Sequence, residues 1–488
     1  MAIAFVNFNH ILINIRHQQP SWTVNFTGLM LWRSILALVV LSLLLLNSCS
    51  TIINVDALLH SQALFLDHSE FIGPNGPLTE AQAQRVIARL QAHQKTPTTI
   101  LERHLAFEQA ISNVPLVTGN KVTLLTNAAD TYAAMLNAIR HANNNINIEM
   151  FIFSDGPIGQ MFADALIERQ RHGVQVNLSY DGFGSFGTSS AFFDRIRQSG
   201  AAVMEYRPVD PFEARLPWTF FHRDHRKMLV VDGRVAFTGG INISEVYASG
   251  LSTIKTSAPS SYWRDTDIEV QGPAVAEFQK IFISQWNYQK GPPLKQCDYY
   301  PKLSKQGDQI LRVIGSVPQR FSLIYVTLIA AIVSAETNVY ITDAYFAPDH
   351  QMLHALEHAA RRGVDVRILL PSHSDAPLTV WAARSHYAAL LKAGVKIYEW
   401  QGEMLHAKTA TIDGVWSTVG TSNLDWWSIA RDNEVNAIVL SHSFGVEMNQ
   451  MFDTDLKSSK QILLEKWRHR GFEERLKEDT AGAIEPFL

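Results

Sequence analysis

Two stretches of the chain carry the same chemical residues at the same spacing. His225, Lys227 and Asp232 stand as His-x-Lys, four residues, Asp, and His406, Lys408 and Asp413 repeat the pattern. Each copy is followed by a glycine turn and an asparagine, Gly239-Gly240-Ile241-Asn242 and Gly420-Thr421-Ser422-Asn423. With 18 histidines in the chain, and Lys and Asp at about 5% each, roughly 0.05 such matches arise by chance. Two copies with the same sequel do not arise that way. Residues i and i+2 of a strand share a face, so each His projects beside its Lys. Bringing the copies together gathers two imidazoles and two ammonium groups about one point. Imidazole is a competent nucleophile and a competent acid or base near neutral pH. Two lysines suit the negative charge spread over the equatorial oxygens of a transferring phosphoryl group. The amides of Asn242 and Asn423 add neutral donors for the same oxygens. This is the equipment for a two-step phosphoryl transfer. One His attacks phosphorus while the other protonates the leaving alkoxide. An alcohol or water, deprotonated by the second His, then resolves the phosphohistidine. The lysines stand in for a metal, the sequence offers no carboxylate cluster for one, and no cofactor is expected.

A nucleophilic His needs an acceptor on its other ring nitrogen. Glu434, on the next predicted strand after the second motif, and Asp265, in the equivalent place after the first, are the candidates. Asp267 and Glu269 compete with Asp265. Asp232 and Asp413 each fall seven residues after their His, an odd offset that turns them away from it in a regular strand. They read as structural, fixing the turns at Gly233 and Gly414.

The elements that must position these groups repeat as well. The first half predicts a helix over 131–143, a strand over 146–153, a helix over 158–171 and a strand over 174–180. The second predicts a helix over 324–335, a strand over 339–346, a helix over 350–362 and a strand over 364–370. Each motif then leads into a strand, Met228–Val231 and Thr409–Ile412. Strands alternating with helices imply an α/β fold with a largely buried sheet. The two histidines are 406 − 225 = 181 residues apart, room for one α/β/α sandwich per copy over 120–300 and 301–488, packed face to face around a shared site. Between Tyr206 and the first motif the chain carries an extra proline-bearing loop. Its Trp218, with Phe220 and Phe221, offers either an apolar lip for acyl chains or ordinary packing. Trp426 and Trp427 favour core packing over a lipid path.

Ahead of the repeat, residues 49–119 form a linker, rich in turns at Gly73-Pro74-Asn75-Gly76-Pro77, and a helical segment from Thr79 to about Ser112, broken near Pro97. Ile35–Leu46 is an uncharged apolar run too short to span a bilayer comfortably and suited to the core of a signal peptide over 1–48, with Arg33 as its positive flank. Met30 is a natural start for it. The run ends in Leu46-Asn47-Ser48-Cys49, which resembles a lipobox, with Cys49 as the lipidated residue. That places the protein at a membrane, exported to the periplasmic face, with the outer membrane as a destination where one exists. Hydrophobic residues make up 47% and charged residues 18% of the chain, and the formal net charge is −4. Such a chain folds, and no basic excess advertises nucleic acid. Two cysteines, Cys49 and Cys297, make no disulfide framework.

The doubled motif with its downstream Gly and Asn resembles that of the phospholipase D superfamily, and the fuller pattern resembles bacterial cardiolipin synthases of the shorter type. Phe237-Thr-Gly-Gly-Ile-Asn242, Trp263-Arg-Asp-Thr266, Tyr345-Phe346-x-Pro348-Asp349, Ser374-Asp375 and Val419-Gly-Thr-Ser-Asn-Leu-Asp425 carry it, from about Asn120 to the carboxyl end. The resemblance implies two phospholipase D-like domains sharing one active site, with His225 as nucleophile and His406 as acid/base. It also implies transfer of a phosphatidyl group to phosphatidylglycerol, with phosphatidylglycerol or phosphatidylethanolamine as donor. The partners are then phospholipids and a membrane surface. A hydrolytic phospholipase D and a nuclease of the same superfamily use the same residues. The charge and the export signal argue against nucleic acid, and two intact motifs argue against a non-catalytic scaffold.

Overall fold

The protein is described from a computed structural model over residues 71–92, 114–209, 222–247, 262–318 and 322–485. The apolar run, Met30, Cys49, residues 93–113 and the aromatic loop at Trp218, Phe220 and Phe221 lie outside the described residues.

Each half is built on seven strands in the same order. The first has β3 (Leu116–Leu125), β4 (Asn145–Met150), β5 (Gln175–Asp181), β6 (Ala202–Tyr206), β7 (Lys227–Val231), β8 (Val235–Gly239) and β9 (Asp267–Gln271), preceded by a short hairpin of β1 (Phe71–Gly73) and β2 (Gly76–Pro77). They pair in the order β3-β9-β8-β7-β4-β5-β6. The second half has β10 (Gln309–Ser316), β11 (Asn338–Thr342), β12 (Asp365–Pro371), β13 (Lys396–Trp400), β14 (Thr409–Ile412), β15 (Trp416–Gly420) and β16 (Glu434–Leu440), in the order β10-β16-β15-β14-β11-β12-β13. A last strand, β17 (Ser459–Ile462), adds to the edge at β13. The parallel trios β4-β5-β6 and β11-β12-β13 are linked by crossover helices, Pro157–Arg171 and Ser190–Gln198 in one half, His350–Arg361 and Pro377–Ala393 in the other. This is the doubled α/β architecture the repeat predicts.

The halves do more than face each other. β3 pairs with β9 along Lys121–Leu125 and with β10 nearer its start, so one sheet runs through both. Strand alternation then sorts the apolar residues into layers. On β7, Leu229 and Val231 enter the outer core of the first half, while Met228 and Val230 enter a central core with Ile268, Val270, Val435, Ala437 and Val439. Phe278, Phe282 and Trp286 of the helix Val275–Tyr288 and Phe444 and Met448 of the helix His442–Leu456 close that central core. Packing, and not a linker, fixes the halves against each other.

Most predicted elements occur within a few residues of their predicted limits. The departures lie beside the motifs. The strand expected to reach Phe153 leaves the sheet after Met150, and Phe151 turns its ring edge-on to His225, with centroids 4.9 Å apart. The strand expected to reach Phe346 stops at Thr342, because the next residue, Asp343, uses its carboxylate to accept from the backbone N–H of Tyr345 and of Leu424, each at 3.1 Å. The long helix expected from Thr79 is present as Glu80–Ala92.

Candidate active site

His225 and His406 stand just ahead of β7 and β14, and the backbone that holds each belongs partly to the other half. The His225 N–H donates to the carbonyl of Asn433 at 3.0 Å, and the Asn433 N–H donates back to Arg223 at 2.9 Å. The His406 N–H donates to the carbonyl of Arg264 at 2.7 Å, and the Arg264 N–H donates to Met404 at 2.8 Å. Glu434 follows Asn433 and Asp265 follows Arg264, so these bridges deliver each carboxylate to the opposite histidine. Glu434 Oε1 lies 2.9 Å from Nδ1 of His225, and Asp265 Oδ2 lies 2.7 Å from Nδ1 of His406. With Nδ1 donating to a carboxylate, Nε2 is left for chemistry. Of the competing acids, Asp267 accepts from the Ile241 N–H at 3.1 Å and Glu269 from Gln271 at 2.6 Å; Asp265 is the one at His406.

The carboxylates are themselves held. Thr421 donates its hydroxyl to Glu434 Oε2, and the Val435 N–H at 2.9 Å fixes that hydroxyl. In the first half Gly240 occupies the position of Thr421, and a Cβ there would sit 2.2 Å from Asp265 Oδ1. Glycine is thus what lets Asp265 approach. Arg264 clamps the same segment, donating to both oxygens of Asp455 at 3.2 and 2.7 Å and to the Asp265 carbonyl at 2.6 Å.

Both lysines fold back on their motifs. Lys227 Nζ donates to the carbonyl of His225 at 2.7 Å, and Lys408 Nζ donates to that of His406 while lying 2.9 Å from its Nδ1. All four groups are buried. Burial, then the neighbouring lysine charges, holds the His225 imidazole well below its usual range. Burial and Lys408 bring His406 down to about 4 against the pull of Asp265. Burial lowers Lys227 to about 7, and lowers Lys408 as well, with Asp265 and Asp343 opposing. Glu434 is raised by burial, with Lys227 opposing. The centre therefore holds neutral imidazoles beside cations destabilised by burial, and an anion entering it would favour their charged forms.

Asn242 and Asn423 come to the same centre, partly committed. Asn242 accepts from the Ile152 N–H at 3.0 Å and donates to the Tyr247 hydroxyl at 3.1 Å, and Asn423 makes a long contact to Ser428 at 3.4 Å. An amide nitrogen has two hydrogens, and each of these contacts uses one. Asp232 and Asp413 lie past the strand ends at φ 53° and 52°, followed by Gly233 and Gly414 at 60° and 65°. Asp232 accepts from the backbone N–H groups of Asn143, Asn144 and Asn145 at 2.7–3.0 Å, and Asp413 from those of Glu336, Thr337 and Asn338 over the same range. They staple the helix-to-strand turns ahead of β4 and β11 and touch neither imidazole. Trp427 is buried beneath the Arg431 guanidinium, 4.7 Å from its ring centroid, in the manner of core packing. Among the described residues no group of three or more His, Cys, Asp or Glu could hold a metal ion, and no helix is long and apolar enough to cross a membrane.

Tyr247, Thr421 and Arg264 escaped prediction as site residues. For Tyr247 a signal exists, since it stands five residues after Asn242 as Ser428 stands five after Asn423.

A family model described as "Cardiolipin synthase, PLD-like domain" matches residues 135–286 and 328–456. The cardiolipin synthase of Alkalihalophilus pseudofirmus is 35% identical over 378 residues, 77% of this chain and 73% of its own. That of Halalkalibacterium halodurans is 32% identical over 425 residues, 86% of this chain and 80% of its own. Among solved structures, phosphatidylserine synthase of Haemophilus influenzae shares the fold with a TM-score of 0.61 at 12% identity, covering 80% of this chain and 100% of that one.

Proposed function

Because the chain belongs to the cardiolipin synthase family built from phospholipase D-like domains, we propose that it is a phosphatidyltransferase forming cardiolipin through a phosphohistidine at the centre its halves share. One observation carries the mechanism. Each histidine is held at Nδ1 by a carboxylate of the other half, which brings two Nε2 atoms and two lysines to one buried point.

In this reading the His225 Nε2 lone pair forms the bond to phosphorus as the P–O bond to the donor's headgroup breaks, and His406, brought to its imidazolium form by the entering phosphate, gives its Nε2 proton to the departing oxygen and keeps Nδ1–H on Asp265. The hydroxyl of phosphatidylglycerol then gives its proton to His406. Its oxygen takes the phosphorus, and the N–P bond breaks. Lys227 and Lys408 carry the charge of the equatorial oxygens, with Asn242 and Asn423 as neutral donors. Phosphatidylglycerol or phosphatidylethanolamine is the donor, releasing glycerol or ethanolamine. Both substrates are membrane lipids, so the enzyme works at a membrane surface, and lipidation of Cys49 would anchor it there.

The test is incubation with labelled phosphatidylglycerol, with and without phosphatidylethanolamine, and mass spectrometry of the products. Cardiolipin that vanishes in both His225→Ala and His406→Ala is expected. Phosphatidic acid alone would replace transfer by hydrolysis, and nuclease activity without lipid turnover would sink both. Cys49→Ala is expected to release the protein from membranes with its chemistry intact; unchanged membrane association would remove lipidation as the anchor.

A further inference from the structure

Four residues beyond the end of β12 the chain sets a carboxylate at the lip of the centre. Asp375 is exposed, and its Oδ1 accepts from the Tyr345 hydroxyl at 2.8 Å and from the Ser374 hydroxyl at 3.0 Å. Its Oδ2 has no hydrogen-bond partner among the described residues. Tyr345 stands edge-on to the His406 ring, with centroids 5.8 Å apart, and Lys408 Nζ lies 5.7 Å from the tyrosine centroid. Trp263 packs against Tyr345 and Met404 and also against His406, 5.0 Å from its ring centroid. One aromatic ring thus links the carboxylate to His406, and its charge is felt at Lys408 and Tyr247. The first half has no such group. The residue four beyond β5 is Ser185, whose hydroxyl is spent on the Phe151 carbonyl and the Phe153 N–H, each at 3.1 Å. The turn then runs on to Phe186, which is 67% exposed. The lip is polar on the His406 side and apolar on the His225 side.

We propose that Asp375 binds the alcohol that resolves the phosphohistidine, accepting at Oδ2 a hydrogen bond from the secondary hydroxyl of a glycerol headgroup. The proposal rests on the transfer reaction above and adds to it the residue that selects the acceptor. Displacement at phosphorus runs in line. With His225 attacking from one side, the departing alcohol and then the incoming one stand on the other, beside His406. Phosphatidylglycerol turns its primary hydroxyl to phosphorus, and the hydroxyl on the next carbon still has a hydrogen to donate. A carboxylate oxygen without a partner is the acceptor it needs. An ammonium is the weaker match, since Lys227 and Lys408 already place positive charge at the centre. The carboxylate exchanges no proton, because His406 takes it from the attacking hydroxyl. Ser374 and Tyr345 hold Oδ1 and leave Oδ2 to the ligand, which gives the Ser374-Asp375 pair of the sequence a task. Water brings no second hydroxyl, so the same contact favours transfer over hydrolysis.

The test uses phosphatidyl-p-nitrophenol as donor, whose headgroup has no second hydroxyl, and two acceptors. One is phosphatidylglycerol; the other is phosphatidyl-1,3-propanediol, which lacks only the secondary hydroxyl. Transfer from the phosphoenzyme to each is followed by mass spectrometry. With one hydrogen bond to a charged group at stake, the wild type should prefer phosphatidylglycerol by about tenfold or more in kcat/KM. Asp375→Ala should bring that preference to within about twofold and raise the share of phosphatidic acid. Asp375→Asn, which keeps an oxygen for Tyr345 without the charge, should lower the preference by about threefold or more. The p-nitrophenol burst should stay within about twofold of wild type in both, which also reports an intact fold. A wild type indifferent to the two acceptors, or a preference that survives both substitutions, overturns the proposal. So does equal slowing of both acceptors together with the burst, which would make Asp375 a support for Tyr345. A wild-type protein giving neither burst nor cardiolipin would instead overturn the parent reaction.

Discussion

Glu434→Gln tests the exchange of carboxylates most directly. The substitution keeps shape: the amide oxygen can accept from His225 Nδ1, and the amide nitrogen can face the Thr421 hydroxyl that Glu434 now accepts from. What disappears is one charge, fully buried. His225 is held well below its usual range and is neutral before reaction, so the charge does little for the resting enzyme. It matters once Nε2 bonds to phosphorus and the ring becomes cationic. With centres about 4 Å apart and an effective dielectric of about 20, the lost attraction is about 4 kcal/mol. That is roughly 10³-fold in rate. Because the interaction exists only as charge develops, kcat should fall and KM should not. The assay is rapid-quench trapping of the phosphohistidine from radiolabelled donor, with steady-state kinetics beside it. If Glu434→Gln slows phosphorylation less than tenfold, the exchanged pairing is wrong.

Asp413→Ala removes an acceptor from three backbone N–H groups and from the Thr337 hydroxyl at 2.8 Å, and it leaves alanine at φ 52°. At about 1 kcal/mol per net bond for these four bonds in this partly exposed turn, the loss should be roughly 4 kcal/mol of unfolding free energy in urea. Activity per folded molecule should survive, and a kinetic defect without a stability defect would return Asp413 to the chemistry. The second expectation concerns pH. Burial depresses Lys227 to about 7 in the free enzyme, and only its protonated form assists phosphate, so log kcat/KM should fall as pH rises through that value. A flat profile from pH 7 to about 9 would mean that Lys227 keeps its proton throughout.

The doubled motif made the reactive groups legible because the same residue types recur at the same spacing, although both histidines and Lys408 stand just ahead of the strands whose alternation was expected to align them. Apolar periodicity made the layers legible because a strand enforces alternation. The strand ends beside the motifs were not, since Phe151 and Asp343 leave the sheet to serve partners distant in sequence, His225 and Leu424. Asp232 and Asp413 could be read as structural from their odd offset. The sequence suggested the turns at Gly233 and Gly414 as their target, whereas the carboxylates hold the turns before β4 and β11, some 80 residues upstream. No local rule states which carboxylate meets which histidine. Chain order puts Asp265 behind the first motif and Glu434 behind the second, and only the pairing of segments across the seam exchanges them.

That exchange explains why the repeat is fused into one sheet. Were each histidine held by its own half, a loosened seam would still leave two oriented imidazoles, each with its lysine. Here neither half can fix a tautomer alone, because the backbone bonds to Asn433 and Arg264 and the carboxylates that follow all cross the seam. The central core, with Val230 and Val270 against Val435 and Val439, and the β3–β10 pairing keep that seam shut. Orientation of the reactive groups is thereby tied to cooperative packing of the whole molecule. A separated half should bind phosphate weakly through its one lysine and hold no poised nucleophile. The doubling also frees the two positions to differ. An enzyme of identical halves would surround both histidines alike, whereas fusion lets Gly240 stand opposite Thr421, so that one imidazole can be specialised to attack and the other to carry the proton.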